Sequence, residues 1–258
     1  MQTRWLACPG PNPQAKLRMF CFPYAGGGTV SFRNWSKALP ASVEVYLVRL
    51  PGRETRLREP LLTRLSEVVE AVVPELLSYT DKPFAFFGHS MGSLFSFEIA
   101  ALLRLKYGIE LAHLFVSGCR APQIERTKPP IYDLPEARFL EELRRLNGTP
   151  EEVLENPELM RLMKPILRAD FEISETYTYI PTTPLDCPIT AFGGLRDPEA
   201  SRTELKAWCE QTTTAFSLQM FPGDHFFLHT SQPPLLRTIA RQLQRLETKI
   251  SVAGVVDK

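Results

Sequence analysis

Residues 84–92 read Phe-Ala-Phe-Phe-Gly-His-Ser-Met-Gly, and this stretch decides the fold. It begins as an apolar run of strand-forming residues and ends in the pattern Gly-x-Ser-x-Gly. Apolar residues at helical spacing follow over residues 93–103. A strand, a sharp turn and a helix in this order are the context in which the pattern marks a nucleophilic serine, here Ser90. The flanking glycines let backbone segments approach each other where side chains would clash.

Further apolar segments alternate with helical patterns along the rest of the chain. Predicted strands cover residues 17–22, 43–50, 84–89, 111–116, 188–192 and 216–221, and predicted helices cover residues 61–79, 93–103 and 234–246. Residues 1–16 are expected to form a loose, proline-rich lead-in. Strands that alternate with helices predict an α/β fold with a mostly parallel, doubly wound sheet covered by helices on both faces.

One segment, residues 121–187, interrupts this alternation. It contains no convincing strand, and amphipathic helical patterns cover residues 136–146, 150–154 and 157–179. We interpret it as a helical lid inserted into a single domain of residues 1–258. A lid over the carboxyl edge of a sheet usually shapes the substrate pocket. The alternative is a structural excursion with no part in binding.

A serine nucleophile needs a general base within hydrogen-bond reach. The chain has four histidines, His89, His113, His225 and His229. His89 lies beside the serine and is expected to point away from it, and His113 opens a predicted strand and is assigned a structural role. The base is expected in the loop after the last strand, which favours His225 over His229.

The base in turn needs an acid that orients its ring. Asp197 follows the predicted strand 188–192, and it gives the chain order Ser, Asp, His. Asp224 directly precedes His225 and would have difficulty reaching its ring, and Asp186 lies before the strand rather than after it. A turn or helix-capping role is the structural alternative for Asp197.

Two backbone N–H groups are expected to stabilise the oxyanion. One is the N–H of Met91, directly after the serine. The other is the N–H of Ala25, in the Tyr-Ala-Gly-Gly-Gly loop 24–28 after the first predicted strand. The glycine run lacks the pattern of a phosphate-binding loop, and a flexible turn without function is the alternative.

Composition excludes several classes of protein. The 30 basic and 29 acidic residues give a net charge of +1, which suggests neither a nucleic-acid nor a membrane-surface partner. No apolar stretch approaches the ~18 residues that span a bilayer. Five cysteines without a Cys-x-x-Cys pair suggest a reduced, cytoplasmic protein, and we expect no metal site. A compact domain of near-neutral charge favours a monomer.

Six blocks of sequence together carry a resemblance to a known family. They are residues 22–28, 50–54, 86–92, 168–171, 193–197 and 223–227. With these blocks in order over nearly the whole chain, the protein resembles type II thioesterases, the stand-alone editing enzymes of nonribosomal peptide and polyketide synthesis. It is also similar to the medium-chain thioesterase of animal fatty acid synthase.

This resemblance implies an α/β-hydrolase fold with a helical lid, and it implies hydrolysis of aberrant or stalled acyl thioesters. The acyl group would be held on the phosphopantetheine arm of an acyl or peptidyl carrier protein, so no cofactor of its own is expected. Carried over by motif, Ser90 is the nucleophile, Asp197 the acid and His225 the base. The alternatives are a general carboxylesterase or acyl-CoA thioesterase on small substrates, and a catalytically silent binding module.

Overall fold

The computed structural model describes residues 3–256, with side chains up to residue 249. Within this range the strands are β1 (Leu6–Ala7), β2 (Leu17–Phe22), β3 (Val43–Val48), β4 (Phe84–His89), β5 (His113–Ser117), β6 (Ile189–Gly194) and β7 (Phe216–Phe221). The helices are α1 (Trp35–Ala38), α2 (Leu65–Leu77), α3 (Met91–Tyr107), α4 (Glu136–Leu146), α5 (Glu151–Leu154), α6 (Pro157–Glu175), α7 (Arg202–Lys206), α8 (Phe227–Thr230) and α9 (Gln232–Val256). Short 3-10 helices cover Thr29–Phe32, Glu54–Arg56 and Ala207–Gln211. None of the described helices is both long and apolar enough to cross a membrane.

The described strands form one sheet in the order β1-β3-β2-β4-β5-β6-β7. All neighbouring pairs are parallel except β1 with β3, which confirms the predicted mostly parallel α/β sheet. The lead-in prediction was wrong at one point, because Leu6 and Ala7 pair antiparallel with Val48 and Leu47. A two-residue strand carries no periodicity of its own, so only its partner β3 defines it.

The sheet is covered on both faces, as its alternating side chains require. Phe20 and Phe22 of β2 join the apolar cluster that includes residues of α2 and α3. Met19 and Cys21 of the same strand join a second cluster, which includes residues of α1 and α9. Successive residues of β2 therefore face opposite helical layers, which is the doubly wound arrangement.

Helices α4, α5 and α6 lie between β5 and β6, in the segment 121–187 that we call the insertion. Helix α6 begins where the Asn156 side chain accepts the N–H groups of Glu158 and Leu159, with Pro157 at the first helical position. The insertion has a small apolar cluster of its own. Its buried members are Ile131, Phe139, Leu143, Leu154, Met160 and Leu167.

Element boundaries differ from the prediction in several helices, α2 and α9 among them. Helix α2 begins at Leu65 rather than at residue 61, because the Glu67 carboxylate accepts the N–H groups of Thr63 and Arg64 and ends the extended segment there. Helix α9 extends over Gln232–Val256 rather than over residues 234–246. Its two prolines fall in the first turn, where no intrahelical N–H bond is lost.

The direction of chain winding reverses at β2, which lies between β3 and β4. Ligand sites in open α/β sheets lie at such reversals, beyond the carboxyl ends of the strands. The loops after β2, β4, β6 and β7 all leave the sheet at that edge, because these strands are parallel. The fold thus gathers the predicted site residues at one edge.

Replacing Gly92 by alanine is expected to destabilise the fold. An added Cβ would lie 2.2 Å from the carbonyl oxygen of Phe22 and 2.8 Å from that of Pro23, so β2 and α3 would have to separate. We expect the free energy of unfolding, measured in urea, to fall by about 3 kcal/mol. Gly10→Ala is the matched control, since its nearest new neighbour would be 3.8 Å away. Equal stability of the two variants would contradict this packing.

The buried His113 is expected to make the fold sensitive to acid. Its Nε2 lies 2.9 Å from the Thr190 hydroxyl, and burial, with a smaller effect of the Lys249 charge, lowers its pKa from 6.5 to about 4. At a pH between these two pKa values, His113 is protonated in the unfolded chain and neutral in the folded chain. The free energy of unfolding therefore falls as the pH falls.

His113→Gln should therefore lose less stability than the wild type on acidification from pH 7.5 to pH 5, by about 2 kcal/mol. Urea unfolding at both pH values measures the difference. Thr190→Val is the control, because it removes the hydrogen-bond partner and keeps the titrating ring. Identical pH dependence of His113→Gln and the wild type would show that His113 does not titrate in this range.

Candidate active site

Ser90 occupies a strained turn between β4 and α3. Its backbone has φ 52° and ψ −120°, a conformation that residues with side chains rarely adopt. The turn is held by its surroundings. The Ser90 N–H donates to the carbonyl of Ser117 at 2.7 Å, and a Cβ on Gly88 would lie 2.1 Å from the carbonyl oxygen of Gly92. The serine therefore sits at the N-terminus of α3, half-buried, where the helix dipole favours negative charge.

His225 and Asp197 form a buried pair in the loops after β7 and β6. The Nδ1 atom of His225 lies 3.0 Å from each oxygen of the Asp197 carboxylate. The Asp197 side chain is fully buried, and its Oδ1 also accepts the N–H of Glu199 at 2.8 Å. A carboxylate only accepts hydrogen bonds, so Nδ1 carries a proton and the remaining ring nitrogen, Nε2, is available as a base.

The predicted nucleophile, base and oxyanion donors meet in one cleft. Ser90, His225, Ala25 and Met91 all line it. Asp197 lies behind the His225 ring rather than in the cleft wall. Residues of the insertion also line the cleft, including Leu143, Leu167 and Phe171. The insertion thus lies against the predicted site residues.

His89 is fully buried behind the base. Its Nδ1 lies 2.9 Å from the Ser117 hydroxyl, and its ring centroid is 5.1 Å from that of His225. Burial, with smaller effects of the His225 and His229 charges, lowers the pKa of His89 well below its usual range. The ring is therefore neutral and places no positive charge beside His225. The close approach depends on Gly118, whose Cβ would lie 2.7 Å from the His89 ring and 3.3 Å from the His225 ring.

The rival candidates for base and acid have other partners. The Nε2 atom of His229 lies 2.9 Å from the Tyr24 hydroxyl, and burial lowers the pKa of this histidine. Asp224 accepts the Phe226 N–H and the Asn147 side-chain amide. Asp186 accepts the hydroxyl of Thr213. The geometry therefore favours the pair His225 and Asp197 over these alternatives.

Two charged residues near the site were assigned no chemical role from the sequence, although they lie in blocks 50–54 and 168–171. Arg53 and Asp170 form a buried ion pair with two parallel contacts of 2.7 Å, and Asp170 also accepts the N–H of Gly26. The sequence did contain a signal. Asp170 lies at the same helical spacing as the buried Leu167 and Ile173, and a carboxylate on an apolar helix face requires a partner. Its partner could not be identified, because Arg53 is 117 residues away.

Comparisons with known proteins identify the family. The model of the family "Thioesterase domain" matches residues 17–243. The gramicidin S biosynthesis protein GrsT of Aneurinibacillus migulanus is 47% identical over 241 residues, which cover 93% of this chain and 94% of that protein. The medium-chain S-acyl fatty acid synthase thioesterase of Rattus norvegicus is 37% identical over 228 residues, 86% of each chain.

A solved structure is also similar over nearly the whole chain. The type II thioesterase BorB from the borrelidin biosynthetic cluster superposes with a TM-score of 0.87 at 36% identity, covering 94% of this chain and 99% of that one. The family expected from the six sequence blocks and the α/β-hydrolase fold are both confirmed. With a serine at a helix N-terminus and the histidine of a His–Asp pair lining the same cleft, the chain belongs to the thioesterase domain family and is a thioester hydrolase.

Proposed function

We propose that this enzyme hydrolyses acyl thioesters on the phosphopantetheine arm of an acyl or peptidyl carrier protein. It would remove aberrant or stalled acyl groups from a nonribosomal peptide or polyketide synthase. The observation that carries the chemistry is the buried Asp197–His225 pair, whose base lines the same cleft as Ser90. The likeness to GrsT and BorB supports the biosynthetic setting.

In the first half-reaction, the Ser90 hydroxyl attacks the thioester carbonyl carbon and its proton passes to Nε2 of His225. Asp197 holds the ring orientation and stabilises the imidazolium that forms. The N–H groups of Ala25 and Met91 donate to the oxyanion of the tetrahedral intermediate. The C–S bond then breaks, the leaving sulfur takes the proton from His225, and the acyl group remains on Ser90.

In the second half-reaction, His225 removes a proton from water as the water attacks the acyl-enzyme. The second tetrahedral intermediate breaks its bond to Ser90, which regains the proton from His225, and the acid is released. A thiol is a much better leaving group than an alcohol or an amine. The demanding tasks are therefore activation of Ser90 and stabilisation of the oxyanion.

The reaction needs no cofactor held by this chain, because the acyl group arrives on the partner's phosphopantetheine. The five cysteines are unpaired within the described residues, which supports a cytoplasmic location. We expect the enzyme to act as a monomer, with the carrier protein as its partner.

Asp197→Asn is expected to lower kcat by about 10⁴-fold, because an amide in place of the carboxylate favours the wrong tautomer of the catalytic histidine. Initial rates on an acyl thioester measure the effect. Asp224→Asn tests the adjacent carboxylate, and Asp186→Asn is a control at a carboxylate that contacts Thr213. We expect full activity for Asp186→Asn and a small loss for Asp224→Asn. A large loss only in Asp224→Asn would transfer the acid role to Asp224.

The partner is tested by loading one series of acyl groups on carrier proteins, on coenzyme A and on p-nitrophenol. We expect the fastest release from the carrier protein and none by Ser90→Ala on any substrate. Equal or faster turnover of the small substrates would identify a general esterase or acyl-CoA thioesterase instead. Carrier binding by the wild type without turnover would identify a binding module.

A further inference from the structure

The loop after β2, residues 23–29, is held by side chains from two distant parts of the chain. We call it the oxyanion loop, because Ala25 lies in it. The Gly26 N–H donates to Oδ2 of Asp170 at 2.7 Å. The Gly27 carbonyl accepts from the Arg53 guanidinium at 3.0 Å, and the Thr29 N–H donates to the Glu54 carboxylate at 2.6 Å. Two of its N–H groups and one carbonyl are thus fixed from outside.

Asp170 and Arg53 are well placed to impose this geometry. Asp170 is 1% exposed and Arg53 is 8% exposed, and the guanidinium donates to both carboxylate oxygens at 2.7 Å. Such a bidentate pair has a single favourable orientation. This rigid ion pair therefore fixes the positions of the Gly26 N–H and the Gly27 carbonyl.

The conformation of the oxyanion loop is set by α6 and by the segment after β3. Gly26 has φ +75°, and a Cβ there would lie 2.5 Å from Leu167, which is on the same helix as Asp170. Glu54 itself has φ +53°, an uncommon conformation for a residue with a side chain. Helix α6 and the segment after β3 therefore enclose the loop between them.

This arrangement determines the direction of the Ala25 N–H. The peptide that links Tyr24 and Ala25 contains the Tyr24 carbonyl, which accepts the Gly27 N–H at 2.8 Å. A trans peptide is planar, so the Ala25 N–H points away from that carbonyl. The next peptide is held at its other end by Asp170 through the Gly26 N–H. Ala25 lies between these two anchored peptides and lines the cleft beside Ser90.

We propose that Asp170 and Arg53 are positioning residues that hold the Ala25 N–H toward the oxyanion. This inference rests on the proposed function, because it takes Ala25 as an oxyanion donor. It also gives a shared role to sequence blocks 50–54 and 168–171, which meet on block 22–28. Neither side chain lines the cleft, so both act through the loop and not on the substrate.

The first test is Asp170→Asn, which keeps the shape of the side chain but replaces one acceptor oxygen with an NH2 donor. The amide can no longer accept from Gly26 and from both guanidinium nitrogens of Arg53 together. We expect kcat/KM on an acyl thioester to fall about 10- to 100-fold, somewhat less than the loss caused by deleting an oxyanion donor outright. Two ligands separate positioning from packing. An alkyl trifluoromethyl ketone forms a tetrahedral oxyanion adduct with the serine, whereas a thioether analogue of the substrate forms none.

Affinity for the ketone should fall by the same factor as kcat/KM, and affinity for the thioether should not change. A fall in both affinities would assign Asp170 to the structure of the pocket and overturn the inference. Unchanged turnover with unchanged ketone affinity would overturn it as well. Activity retained by Ser90→Ala would instead overturn the proposed function itself, which keeps the two failures distinct.

A second variant separates positioning from stability. Arg53→Met/Asp170→Leu removes both charges at similar volume, a change that often leaves a fold as stable as before. We expect a folded protein by circular dichroism and thermal melting, with the same loss of kcat/KM and ketone affinity. Wild-type turnover in this variant would overturn the inference. Lys164→Gln is the control on the same helix, because it removes only the ion pair of Lys164 with Glu136, and it should keep full activity.

Discussion

The structure depends on the close approach of three backbone segments, the end of β2, the end of β4 and the start of α3. Gly88 and Gly92 leave no room for a Cβ, since the nearest backbone atoms would lie 2.1 Å and 2.2 Å away. This contact forces the turn at Ser90 into its strained conformation. It also brings the oxyanion loop beside the N-terminus of α3. The strain is therefore maintained by packing of the whole sheet and not by the turn itself.

The charge distribution around the base follows from the same packing. The sheet buries His89 directly behind His225, with ring centroids 5.1 Å apart, and burial keeps His89 neutral. A second cation there would oppose formation of the His225 imidazolium. Asp197, fully buried on the other ring nitrogen, favours that cation instead. One neutral neighbour and one anionic neighbour suit a histidine that must accept a proton during the reaction.

Most of what could be predicted from the sequence came from local patterns. The strand, turn and helix around Ser90 are continuous in the chain, and the carboxyl ends of parallel strands must share an edge, so Asp197 and His225 could be placed near the serine. Contacts between distant segments could not be predicted in this way. The strand at Leu6–Ala7 exists only through its pairing with β3, and Arg53 meets Asp170 across 117 residues.

The insertion contacts the oxyanion loop, the loop of Asp197 and the loop of His225. Beside Asp197, the Glu199 carboxylate accepts from Lys128 at 2.8 Å and Arg145 at 3.0 Å, and these cations are 40% and 44% exposed. Exposed pairs of this kind contribute about 0.2–1 kcal/mol each.

At the oxyanion loop, Asp170 lies almost wholly inside the protein, and breaking a buried pair by removing one partner costs about 3–5 kcal/mol. The charged contact of the insertion with Arg53 is therefore buried, whereas its ion pairs with Glu199 are partly exposed to solvent. Solvent screening weakens the Glu199 pairs more than the Arg53–Asp170 pair. A substrate arm that enters from the Glu199 side would meet these partly exposed ion pairs and would leave the Asp170 contact to the oxyanion loop intact.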